Sequence, residues 1–234
     1  MMALPRLNES PKHEMVIPSS GKTVRFRPYL VKEEKVLLIA FENGDVAQAM
    51  KAIIDTIFAC VDDDITIQEL TTFDVEYMFT QIRAKSVGET STINVKCQEC
   101  NHDNEYSVNL QELAIEIPER ENVIELLPEV SVEMKYPGAD SFLSMKADAT
   151  QTETVLELVA NSIAAVLTEE ERIDVKDETR QMMNEFIDSL TGEQFKKVSE
   201  YVMEIPTLKK GVEFDCEKCG HHNNTELTGF TDFF

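Results

Sequence analysis

Tryptophan is absent from the 234 residues and aromatics make up only 7% of them. That leaves no material for a ring platform of the kind that stacks against sugars. Glycine occurs eight times, never in the spacing of a phosphate-cradling loop, and neither H-E-x-x-H nor G-x-S-x-G is present. Of four histidines, His13 is near the start, and His102, His221 and His222 sit beside cysteines. No general base for a serine or cysteine nucleophile emerges, so the reading is a non-enzyme. No apolar run approaches the roughly 18–20 residues of a membrane-spanning helix. The opening MMALPRLNESPKHEM has no apolar signal core, so an intracellular chain with reduced cysteines is expected.

Basic residues are also scarce. Lys and Arg total 22 against 44 Asp and Glu, a formal charge of −22. A surface that coats nucleic acid or an anionic membrane needs clustered cations, so neither is expected as a partner. The first 29 residues are the exception. They hold five Lys/Arg and two acids, a net of +3, which leaves −25 for the rest. With Pro5, Pro11, Pro18 and Pro28 they read as an extended basic arm (1–30), with one strand at Thr23–Arg27. Such an arm should pack on an acidic surface, either its own body or a neighbouring copy.

Residues 31–88 read as helical: one helix over 32–42 stopped near Asn43-Gly44, and a second capped by Asp45. A third apolar face runs through Val75, Met78, Phe79 and Ile82, after a capping box at Thr66–Glu69. Cys60 lies on an apolar stripe and reads as a buried small hydrophobe. Asp62-Asp63-Asp64 reads as a solvated loop. Residues 111–205 read as an acidic α/β insertion, mostly helical, with helices over 153–167, 178–190 and 192–204 and a short extended run at Val130–Met134. Residues 225–234, ending GFTDFF, form an aromatic tail. Phe230, Phe233 and Phe234 would either dock into a partner or fold back on the body.

One internal repeat carries chemistry. Residues 93–104 read INVKCQECNHDN and residues 212–223 read VEFDCEKCGHHN, an offset of 119. Each is a two-period strand, a C-x-x-C, a His two residues on and an Asn two beyond that. One such knuckle supplies half of a structural metal site, and two supply four thiolates around a tetrahedral ion with no open position. Cys97, Cys100, Cys216 and Cys219 are the expected ligands of one structural Zn²⁺ per chain, with backbone N–H groups donating to the sulfurs. Other readings stay open: separate metals completed by His102 and His221, a redox pair, or plain thiols. The ribbon halves, 89–110 and 206–224, would clamp the ends of the large insertion. The fold class expected is α+β and helix-rich, a bundle-like body closed by a split Cys₄ ribbon.

The basic strand leading into RPYLVKEEKVLLIAFE, the acidic helical body, the split C-x-x-C pairs and the closing GFTDFF resemble the baseplate hub and hub-assembly proteins of T-even-type (T-four-like) bacteriophages. The resemblance implies a non-enzymatic component or assembly factor of a contractile-tail baseplate hub. Its implied partners are other tail and hub proteins, the tape-measure protein among the candidates. It would act in the host cytoplasm during assembly and either stay in the virion tail baseplate or leave it. The rival class is an acidic zinc-ribbon regulatory adaptor that binds a polymerase or mimics nucleic acid.

Overall fold

A computed structural model describes residues 11–144, 150–229 and 232–233. Chain order begins with two short strands, β1 (His13–Val16) and β2 (Thr23–Phe26), paired antiparallel. The segment expected as an extended arm is thus, from residue 13 onward, a hairpin. Met15, Ile17, Val24 and Phe26 bury their side chains against the helices that follow. Its cations meet the triple-aspartate loop: Lys12 Nζ lies 2.8 Å from Asp62, the Arg25 guanidinium 3.7 Å from Asp63, and Lys22 Nζ donates to the Asp64 carbonyl at 2.9 Å. The acidic surface that receives the basic segment is the chain's own. Lys12 beside Asp62 also holds that carboxyl below its ordinary range.

Three helices complete the first core: α1 (Val31–Glu42), α2 (Val46–Cys60) and α3 (Thr72–Ser86). Asp45 caps α2 as expected, accepting the Ala47 and Gln48 N–H groups at 2.9 and 3.2 Å. The Thr66–Glu69 box closes only a single 3₁₀ turn, Ile67–Glu69. The helix proper starts at the next cap, where Thr71 and Asp74 exchange hydrogen bonds. Asp74 is fully buried and accepts four: from the N–H and hydroxyl of Ser19 at 2.9 and 2.6 Å, and from the N–H and hydroxyl of Thr71, both at 2.7 Å. It ties the hairpin turn to α3. Asp74→Ala leaves those partly buried donors without their shared acceptor, so a stability loss of about 1–3 kcal/mol is expected in urea unfolding.

Strands β3 (Thr90–Lys96) and β4 (Asp103–Asn109) form the next hairpin. The insertion carries four strands among its helices. Strands β5 (Val123–Leu127) and β6 (Val130–Met134) precede α4 (Ser141–Ser144) and α5 (Gln151–Ser162). They are followed by β7 (Ile163–Thr168), β8 (Arg172–Asp174), α6 (Arg180–Asp188) and α7 (Gly192–Met203). Strands β5-β6-β7-β8 make one antiparallel sheet in that order. The helix expected to run through 153–167 ends at Ser162, and the chain turns extended at Ile163. Ile163, Val166 and Leu167 belong to an inner strand, paired with β6 on one side and β8 on the other. A run apolar at both parities, Ile-Ala-Ala-Val-Leu, suits a helix or a buried strand equally, and the neighbouring strands decide it. Helices α5, α6 and α7 share the core of this lobe with β5, β6 and β7.

The chain closes with the hairpin β9 (Lys209–Asp215) and β10 (His222–Thr228). Among the described residues ten strands lie in four sheets. Helix accounts for 40% and strand for 28%. The helix-rich, bundle-like body is therefore corrected to a mixed α/β fold. Glu76 ties α3 to the segment entering β9: it accepts the Thr207 hydroxyl at 2.7 Å and the Leu208 N–H at 3.2 Å, and burial pushes its carboxyl above the ordinary range.

Candidate metal centre

The two cysteine hairpins match in strand register as well as in sequence. β3 begins at Thr90 and β9 at Lys209, β4 at Asp103 and β10 at His222, each pair 119 apart, and the strand pairings correspond residue for residue. The turns match too. The Cys97 N–H donates to the His102 carbonyl and the Cys216 N–H to that of His221, both at 2.9 Å. The Asn101 and Gly220 N–H groups return to the carbonyls of Cys97 and Cys216 at 3.0 and 2.8 Å. Both turns need a left-handed residue at the same place, Asn101 with φ 54° and Gly220 with φ 71°. Gly and Asn are the residues that adopt it most readily.

These turns aim four sulfurs at one point. Cys97 Sγ lies 3.7 Å from Cys219 Sγ and Cys100 Sγ 3.6 Å from Cys216 Sγ, and all four fall within 4.8 Å of one another. A disulfide would need about 2.05 Å. A tetrahedral ion with metal–sulfur bonds of about 2.3 Å sets sulfur–sulfur edges of about 3.8 Å, close to the spacing here. The donor set fits a closed thiolate shell. His102 and His221 are not in the cluster, and His222 pairs with Asp215 at 2.8 Å.

Electrostatics in the cluster conflict in the absence of a cation. Backbone N–H groups of Cys100 and Glu99 lower the Cys97 thiol. For Cys216 burial acts upward, but the N–H groups of Cys219 and Lys218 overcome it and bring the thiol to about 6. Cys219 receives the His221 N–H, which favours its thiolate, yet neighbouring Cys100 and desolvation outweigh that and push it to about 12. Four sulfurs this close cannot all ionise alone, and a divalent cation removes the conflict. Cys60 is separate: buried in the first core, its thiol is pushed up to about 11 by desolvation.

The Asn that ends each repeat has a role that sequence reading did not assign. Asn104 Nδ2 donates to its own His102 carbonyl at 2.9 Å, and its Oδ1 accepts the Glu217 N–H of the other knuckle at 2.9 Å. Asn223 mirrors it, donating to His221 at 2.9 Å and accepting the Gln98 N–H at 2.8 Å. Both are buried. Two amide clasps thus tie the knuckles together across the pseudo-dyad beside the sulfurs. The repeated Asn was visible in the sequence, but its partner across 113 or 125 residues was not. Asn104→Ala and Asn223→Ala should each cost about 1–3 kcal/mol, since each strands a partly buried N–H of the opposite knuckle. Thermal unfolding of the two variants should show similar losses.

The family described as T4 bacteriophage base plate protein matches residues 10–234, all but the first nine. The chain belongs to this family. In this base plate protein the matched span includes both knuckles and everything between them. No curated protein and no solved structure matches the chain. No helix among the described residues is long and apolar enough to cross a membrane. The base plate protein's tail is placed in part. Phe233 is fully buried beside Ala84, Val95, Leu208 and Leu227, and its carbonyl accepts the Ser91 hydroxyl at 3.2 Å. Phe230 and Phe234 lie outside the described residues.

Proposed function

We propose that this chain is a non-enzymatic structural or assembly component of a contractile-tail base plate hub, working through protein–protein contacts. The family match over 10–234 carries the reading. Cys97, Cys100, Cys216 and Cys219 would hold one Zn²⁺ per chain, a structural ion that closes the two ends of the insertion and performs no chemistry. Two knuckles separated by more than a hundred residues suit this: fixing them together fixes the entry and exit of the whole β5–α7 lobe. The ribbon halves, the insertion and the helical segment then act as parts of one scaffold, with other tail and hub proteins as partners. Its place would be the host cytoplasm during assembly and then the virion tail.

Affinity-tagged chain recovered from infected cells, followed by mass spectrometry of the co-purified proteins and of purified tails, tests this. Tail and hub proteins among the partners, with the chain in tails or tail intermediates, is the expected result. Polymerase subunits in their place would establish the rival regulatory-adaptor reading and overturn this one.

A further inference from the structure

The duplicated hairpins let each half of the ribbon serve as a reference for the other. Across the pseudo-dyad β3 corresponds to β9, and β4 to β10. On β4 and β9 stand Tyr106 and Phe214, whose ring centroids lie 6.3 Å apart and which pack on the core beneath. The positions 119 residues away are Thr225 on β10 and Val95 on β3. There the two rings are missing. A groove of about 560 Å³ opens between these strands instead, lined by Thr92–Lys96, Thr225–Leu227 and Asp232.

Its walls are two unpaired sheet edges. β3 bonds only β4, and β10 only β9. The Cys97 N–H donates to His102 and the Leu110 N–H to Glu89, so odd-numbered residues of β3 turn their backbone groups toward β4. Thr92 and Asn94 turn theirs outward. The same alternation, set by Cys216 and His221, turns Glu226 outward from β10. On either side of Glu226 the chain satisfies its own edge: the Thr228 N–H donates to Asp232 at 2.7 Å, and the Asn224 carbonyl accepts Gln98 Nε2 at 3.2 Å. The outward backbone groups of Thr92, Asn94 and Glu226 have no partner among the described residues.

We propose that this groove takes an extended segment of another base plate protein, which adds as a strand along these edges. An aromatic side chain of that segment fills the place that Tyr106 and Phe214 fill in the other half. That the partner is a base plate protein rests on the reading above. A row of free donors and acceptors is matched by an extended backbone, and alternate side chains of the added strand then face the buried side, between Val95 and Leu227. A folded second copy does not fit. Each of the ten described strands already has a neighbour, whereas a strand entering between two edges must be free on both.

Photo-crosslinking in infected cells tests this, with p-benzoylphenylalanine in place of Glu226 on the groove or of Met203, exposed at the end of α7, as the control. Tails and tail intermediates are purified and the crosslinked peptides sequenced. The expected product joins position 226 to one segment of another base plate protein that contains Phe, Tyr or Trp, and position 203 does not give it. Val95→Phe/Thr225→Tyr copies the other half into the groove and should cut this product roughly tenfold, as blocking a central anchor implies. Asn94→Pro is the second variant. Its N–H faces away from β4, so the β3–β4 ladder survives while the incoming strand loses a donor, and the product should fall roughly fivefold. An unchanged product in both variants would overturn the proposal. So would tails that contain the chain but give no crosslink from position 226, or a product joining two copies of this chain. In those three cases the chain is still found in tails, and the base plate reading stands. Polymerase subunits in the product, with the chain absent from tails, would overturn that reading and the partner's origin with it.

Discussion

Phe233→Ala is expected to lower the melting temperature of the isolated chain by about 6–20 °C. Truncating a fully buried phenylalanine costs about 3–5 kcal/mol, because the lost transfer energy is joined by the energy of the cavity left behind. Each kcal/mol corresponds to about 2–4 °C in a chain of this size. The site leaves little room to collapse. Phe233 packs among residues of α3, β3 and β10 as well as Leu208, and its carbonyl is held by Ser91. Asp232 adds a second anchor by accepting the Thr228 N–H at 2.7 Å. Truncation after Thr228 removes both and should destabilise at least as much. A variant that melts like wild type while failing to enter tails would instead assign Phe233 to a partner.

Cys216→Ser should strip the metal and unfold the ribbon more readily. Serine is not ionised at neutral pH and is a poor fourth ligand, so the remaining three thiolates hold the ion weakly. Structural Zn²⁺ contributes about 10–16 kcal/mol in small finger peptides. Losing even about 4 kcal/mol of that would lower the melting temperature by about 8–16 °C. Cys60→Ser is the control. Its sulfur is in the first core, away from the cluster, so it should alter stability without altering metal content. Chelator treatment of wild type should reproduce the Cys216→Ser melting curve, and zinc should restore it.

The four-cysteine cluster was far more legible than the fold around it. A C-x-x-C on a strand turn is a local pattern, and its repetition at a fixed offset needs no knowledge of the long segment between. Two helix starts were readable for the same reason, since Asp45 caps α2 and Thr191 caps α7, the helix expected from 192, through side-chain bonds within three residues. What escaped depends on distant pairing. β8 is three residues long and mixed in polarity, and β7 continues an apolar helical stripe without a break. Their sheet exists because β6 lies between β5 and β7, contacts that no local period records. The Asn clasps and the burial of Phe233 are likewise long-range, joining residues more than a hundred positions apart.

Native mass spectrometry of the purified full-length chain tests the central claim, that two half-sites make one centre. The account predicts a single population carrying one zinc ion per chain, reduced to metal-free chain in Cys97→Ser and in Cys216→Ser alike, because either knuckle alone is half a site. Metal-free wild-type chain with an unchanged melting temperature would contradict it, as would two ions per chain or a knuckle that keeps its ion when the other is mutated.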